Sequence, residues 1–175
     1  MIPPNGFVSN RVLKLKVGFL LNQSLGTSRE VDFDVPALGV ADDLVLAFLR
    51  GQIRLSRTRE GILVQGELQT AIEGECRRCL AAIAIPITLT LEELFALHPH
   101  RGDTEFSVSE DAILDLTPLL REETIISIPL APLCKPDCAG LCPSCGHNLN
   151  LGQCDCPSTD LDPRFAVLSQ LHDQE

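Results

Sequence analysis

The chain has no tryptophan and no tyrosine, and 7 phenylalanines supply every aromatic ring among its 175 residues. That shortage excludes the stacking platform of interleaved aromatics on which single-stranded RNA is usually held. No apolar run reaches the roughly 18 residues that a membrane-crossing helix requires. The opening Met1-Ile2-Pro3-Pro4-Asn5-Gly6 has neither the basic segment nor the apolar core of a secretory signal, and no transit peptide is read there. The expectation is a soluble, cytoplasmic protein with no membrane partner. Gly-rich phosphate loops, Gly-x-Ser-x-Gly, His-Glu-x-x-His and paired catalytic carboxylates are all missing. The chain is therefore read as non-enzymatic, without a small-molecule substrate.

Basic residues are scarce in the second part of the chain. Residues 102–175 hold 3 Lys/Arg against 13 Asp/Glu, whereas residues 1–101 hold 11 of each, so the net charge of −10 falls after residue 101. An acidic tail repels phosphate backbones and suits a basic protein partner, although it also serves solubility alone.

What is abundant is cysteine. The 8 cysteines fall as Cys76-x-x-Cys79 and as a tail series of Cys134, Cys138, Cys142, Cys145, Cys154 and Cys156. Reducing compartments disfavour a disulfide framework, and unligated thiols invite oxidation, so metal ligation is the better account. Four thiolates satisfy one tetrahedral zinc, and this count allows one or two ions. The economical partition joins Cys76, Cys79, Cys134 and Cys138 in a first site and Cys142, Cys145, Cys154 and Cys156 in a second. A ribbon-like alternative pairs the two Cys-x-x-Cys knuckles and leaves Cys134, Cys138, Cys154 and Cys156 together. Gly146 after the second knuckle permits the backbone turn that aims amides at the first cysteine's sulfur. His98, His100, His147 and His172 read as solvated, with His147 the one nearest a knuckle.

Period-two alternation runs through Leu13–Val17, Val31–Val35, Ile53–Leu55, Ile62–Ile72 and Ile83–Leu91, which argues for a sheet with one buried face. Pro86 inside the last run marks an edge strand. Thr117-Pro118 reads as an N-cap with proline at the first helical position, opening a short helix to about Ser127. Asp162-Pro163 repeats that signal before a final short helix. The fold class is α+β and mainly antiparallel β. It is read as a curled N-terminal sheet or half-barrel, a short helix and a cysteine-rich zinc-binding tail. The organisation is a β domain with the Cys-x-x-Cys hairpin over 1–97, a loop and helix packed on the sheet over 98–133, and the zinc-binding tail over 134–175. Arg50, Arg54, Arg57, Arg59, Arg77 and Arg78 form the one basic concentration. They read either as a modest RNA or partner contact or as solvated strand faces paired with Glu67, Glu73 and Glu75.

A further set of residues completes the pattern. These are Cys76-Arg77-Arg78-Cys79-Leu80, Asp115-Leu116-Thr117-Pro118-Leu119-Leu120-Arg121-Glu122, and Ile128-Pro129-Leu130 leading into Cys134. They are followed by Gly140-Leu141-Cys142-Pro143-Ser144-Cys145-Gly146-His147-Asn148-Leu149-Asn150, Cys154-x-Cys156 and Asp162-Pro163-Arg164-Phe165-Ala166-Val167-Leu168. Together they resemble the YceD family of large ribosomal RNA subunit accumulation proteins, over about residues 40–171 and most closely in the cysteine tail. The resemblance implies a non-enzymatic role in 23S rRNA accumulation and large-subunit biogenesis in a bacterial cytoplasm. It implies as partner a ribosomal protein or a pre-ribosomal large-subunit particle, with rRNA contact open. A thiol- or zinc-responsive regulatory protein is the alternative reading of the same cysteines.

Overall fold

Side chains that alternate in sequence become the two faces of a pleated strand, and the buried face here is the apolar one. The computed structural model describes residues 10–97 and 106–156. After a 3-10 turn at Asn10–Leu13 come β1 (Lys14–Lys16) and the single helical turn α1 (Gly18–Leu21). β2 (Ser28–Val35), β3 (Leu38–Ala41), β4 (Leu44–Leu46), β5 (Leu49–Arg57), β6 (Gly61–Glu75) and β7 (Ala82–Ala96) follow. β8 (Ile113–Asp115) and the short helix α2 (Thr117–Ser127) complete the described elements.

The main sheet has the order β2-β5-β6-β7, with β1-β8 and β3-β4 as separate two-stranded pairs. All three sheets are open. β2 and β5 run antiparallel with Val31 opposite Ile53, and β5 and β6 run antiparallel with Leu55 opposite Val64. Ile62, Val64, Leu68, Ile85, Leu89 and Leu91, all on the alternating apolar positions, are buried. Pro86, which cannot donate to a ladder, sits on the edge strand β7. Gly51 (φ 137°) lies in β5 between Phe33 and Leu68, where any β-carbon would run into the backbone oxygen of Glu67.

The helix start differs from its sequence reading in one respect. Leu116 occupies the cap position, and Asp115 Oδ1 accepts the Thr117 N–H at 2.9 Å. The Thr117 hydroxyl itself is buried without a partner. Pro118 stands in the first turn, where a missing N–H costs nothing, and the helix ends at Ser127 ahead of Pro129. Leu119, Leu120 and Thr124 form its buried face. Arg121 donates to both carboxylate oxygens of Asp43, at 3.2 and 2.6 Å, tying the tight β3–β4 turn to the helix.

The described residues divide into two compact units. One comprises 10–74, 83–97 and 106–130; the other comprises 75–82 and 131–156 and contains all 8 cysteines. No helix among the described residues is long and apolar enough to cross a membrane. The expected terminal helix after Asp162-Pro163, and His98, His100 and His172, lie outside the described residues.

Candidate metal centres

Two turns of the same design carry the Cys-x-x-Cys pairs. In the first, the Cys76 N–H donates to the Ala81 carbonyl and the Leu80 N–H returns to the Cys76 carbonyl, both at 2.9 Å. In the second, the Cys142 N–H donates to the His147 carbonyl at 2.8 Å and the Gly146 N–H returns to the Cys142 carbonyl at 2.9 Å. Such a turn needs a left-handed residue after the second cysteine. Gly146 takes it at φ 72°, as glycine readily does. Leu80 takes it at φ 57°, a conformation costing a residue with a β-carbon about 1–2 kcal/mol.

These turns and the intervening loops gather the sulfurs into two tetrads. Cys76, Cys79, Cys134 and Cys138 form one, Cys142, Cys145, Cys154 and Cys156 the other, with the sulfurs of each group all within 4.8 Å of one another. In the first tetrad the Cys76–Cys138 separation is 3.7 Å and the Cys79–Cys134 separation is 3.6 Å. A tetrahedral ion with metal–sulfur bonds of about 2.3 Å sets its sulfurs about 3.8 Å apart, so these spacings fit one ion at the centre. They are far longer than the roughly 2.05 Å of a disulfide. Each tetrad could hold a metal ion. The first is the more enclosed, with Cys76, Cys79 and Cys138 buried; in the second only Cys142 is buried.

The electrostatics of each tetrad are divided. Burial works against the Cys76 thiolate, but the amides of Cys79, Cys134 and Arg78 outweigh it and bring the thiol down to about 6. The amides of Cys145 and Ser144, with the Cys154 thiol, bring Cys142 down to about 6. Burial and the sulfurs of Cys138, Cys79 and Cys76 push Cys134 up to about 12. The Cys145 sulfur, burial, and the Cys142 and Cys154 sulfurs do the same to Cys156. Amide dipoles thus lower Cys76 and Cys138 in the first tetrad and Cys142 in the second, while Cys134 and Cys156 are held up, so a full set of four thiolates does not form cheaply without a cation between them.

Asn150 is a functional residue that the sequence reading left unassigned. Its Nδ2 donates to the Cys138 sulfur at 3.3 Å and to Asn148 Oδ1 at 2.8 Å, and its Oδ1 accepts the Ala139 N–H at 3.0 Å. Burial raises Cys138, and this amide is the largest of the influences that bring it below the usual thiol range. Asn150 closes a small hairpin in which Leu149 donates to Gly140 and Leu141 bridges Asn148. The second knuckle sits at the tip of that hairpin, so its base supports a sulfur of the first tetrad. The signal for this role was the Asn148-x-Asn150 pair, which favours side-chain-capped turns. His147 is exposed and contributes its carbonyl.

Arg50, Arg54, Arg57 and Arg78 have specific partners. Arg50 pairs with Asp34 and Arg54 with Glu30, each at 2.9 Å across the β2–β5 ladder, and Arg50 also lies over the Phe48 ring. Arg57 donates to the Thr58 carbonyl in the β5–β6 turn. Arg78 donates to the Cys138 carbonyl at 2.9 Å, bracing the first tetrad. Arg59 and Arg77 are exposed.

A family model described as "Large ribosomal RNA subunit accumulation protein YceD" matches residues 64–172, a span that includes both tetrads. Among curated proteins, the chain is 32% identical over 130 residues to "Uncharacterized protein Rv2926c" of Mycobacterium tuberculosis, covering 71% of this chain and 62% of that protein. It is 27% identical over 130 residues to "Uncharacterized protein YlbN" of Bacillus subtilis, covering 72% and 73% respectively. The chain thus matches somewhat under two thirds of the length of the mycobacterial relative. No solved structure matches it.

Two outcomes follow from the geometry. Replacing Asn150 with Ala should weaken metal binding at the first tetrad by about 10–100-fold, read by competition with a chromogenic chelator, while the second tetrad is spared. Metal affinity should fall more steeply as pH drops through about 6, where the Cys76 and Cys142 thiolates also take up protons, read by competition with the same chelator. Their folded-state values lie below the usual thiol value of about 8.5. Their contribution to stability is therefore complete above that value and is lost as pH falls through about 6.

Proposed function

The chain belongs to the YceD family, and we propose that it is a non-enzymatic zinc-binding factor supporting 23S rRNA accumulation. It would act by binding a basic ribosomal protein or a pre-ribosomal large-subunit particle. The observation that carries this reading is the pair of four-sulfur clusters, each with its sulfurs within 4.8 Å of one another and the first with the spacing of a tetrahedral ion. The thiolate donor set favours zinc, and an iron–sulfur cluster would have to insert a multi-atom core between sulfurs this close. Four sulfurs complete a tetrahedral shell and leave no position for a reacting water, which supports an architectural role over a hydrolytic one.

Charge supports a protein partner. A zinc held by four thiolates carries about −2, which adds to the formal −10 of the chain. Arg50 and Arg54 are matched by carboxylates, which leaves the strand face little net charge to offer a phosphate backbone.

A second reading has one observation in its favour. Cys145 is exposed and Cys154 and Cys156 are half-exposed. That accessibility fits a thiol- or zinc-responsive regulator whose sensor is the second tetrad.

Deleting the gene should lower mature 23S rRNA and raise its precursors, measured by primer extension and gradient profiles. A chain lacking the first-tetrad cysteines should not restore them. Normal precursor and mature levels in the deletion strain would sink the proposal. Rescue that depends on the exposed second-tetrad cysteines only under oxidant would shift it to the regulatory reading.

A further inference from the structure

The first unit carries a second feature that the metal centres do not use. A groove of about 370 Å³ is lined by Leu44 and Val45 of β4, Ile72 of β6, and Ile125 and Ile128 at the end of α2, with Asp42, Asp43 and Glu73 around it. Leu44 and Ile72 are buried, so they form the floor. Ile125 is 46% exposed and its neighbour Ile126 is 77% exposed, an unusual pair of aliphatic side chains to leave in water at one helix end.

The three carboxylates are not equivalent. Asp43 is held by Arg121, whose guanidinium keeps it below the usual carboxylate range. Asp42 and Glu73 are exposed and have no ion-pair partner among the described residues. Glu122 follows Arg121 on the helix and adds further negative charge nearby. The result is an apolar floor beneath a rim of net negative charge.

We propose that this groove docks a segment of a cationic protein in which an aliphatic side chain is flanked by lysines or arginines. The aliphatic group fills the floor, and the flanking cations meet Asp42 and Glu73. The commitment rests on charge complementarity. A phosphate backbone would be repelled by the rim, and a polar metabolite would find carboxylates at the mouth and only aliphatic carbon beneath. This inference rests on the reading of the chain as a binder of basic proteins and names the surface that does it.

The test uses the full chain and a fluorescent synthetic peptide with two central leucines flanked on both sides by lysine and arginine. Wild type should bind it. Asp42→Lys combined with Glu73→Lys should weaken binding at least about tenfold, and Ile125→Ser should weaken it several-fold. These side chains are exposed, so the variants should fold, as checked by circular dichroism. A peptide with serines in place of the leucines should bind poorly. Equal affinity of wild type and the charge-reversed variant, or equal binding of the serine peptide, overturns the groove. In cells, capture of large-subunit precursors by wild type but not by the charge-reversed chain supports it. Undiminished capture by that variant overturns the groove and leaves the proposed function standing. If wild type itself captures no large-subunit component, the proposed function fails, and the peptide titration decides the groove alone.

Discussion

Sulfurs crowded within 4.8 Å of one another set the terms for the cysteine-bearing unit. Amides stabilise the Cys76 and Cys138 thiolates in the first tetrad and the Cys142 thiolate in the second, while burial and neighbouring sulfurs drive Cys134, and neighbouring sulfurs and burial drive Cys156, up to about 12. A divalent cation resolves that conflict by turning mutual repulsion into shared attraction. The surrounding chain is built to make that possible. Leu80 accepts a left-handed backbone so that the first knuckle can turn, and Asn150 and Arg78 brace Cys138 through its sulfur and its carbonyl. The first tetrad also joins residues 62 apart in sequence, so an ion there closes a long loop that would otherwise be entropically costly.

Much of this was legible in the sequence, for a physical reason. Alternation at Ile62, Val64, Leu68 and Ile72 directly encodes a strand with one buried face, and Pro86 encodes an edge. Cysteine spacing encodes knuckles. It does not encode the path of the loop from 131 to 140, which is why two partitions of the tail cysteines stood open until the sulfurs were located. The arginines were harder still. Arg50 and Arg54 look like a basic patch along one strand, but their charge depends on what lies across the ladder. That register places Asp34 and Glu30 opposite them, and it belongs to the pairing of β2 with β5 rather than to either strand alone. The role of Asn150 was hidden likewise, because its contact with Cys138 exists only once the 140–149 hairpin is folded.

The two units divide the work along chemical lines. One is a sheet with an aliphatic interior, whose exposed face is largely neutralised by cross-strand pairs and whose acidic groove lies at the end of α2. None of the other's described residues belongs to that apolar core, and its buried side chains are those of Cys76, Cys79, Cys138 and Cys142. Small units of this kind fold with their metal, and the binding free energy of the ion becomes folding free energy. Family membership connects this architecture to large-subunit RNA accumulation.

That dependence on metal is best tested by elemental analysis of the purified chain combined with amide hydrogen exchange before and after chelation. Two zinc ions per chain are expected, one for each tetrad. Chelation should remove protection from residues 75–82 and 131–156 while strands β2, β5 and the first part of β6 keep theirs. Protein purified without metal whose residues 75–82 and 131–156 remain fully protected would contradict it.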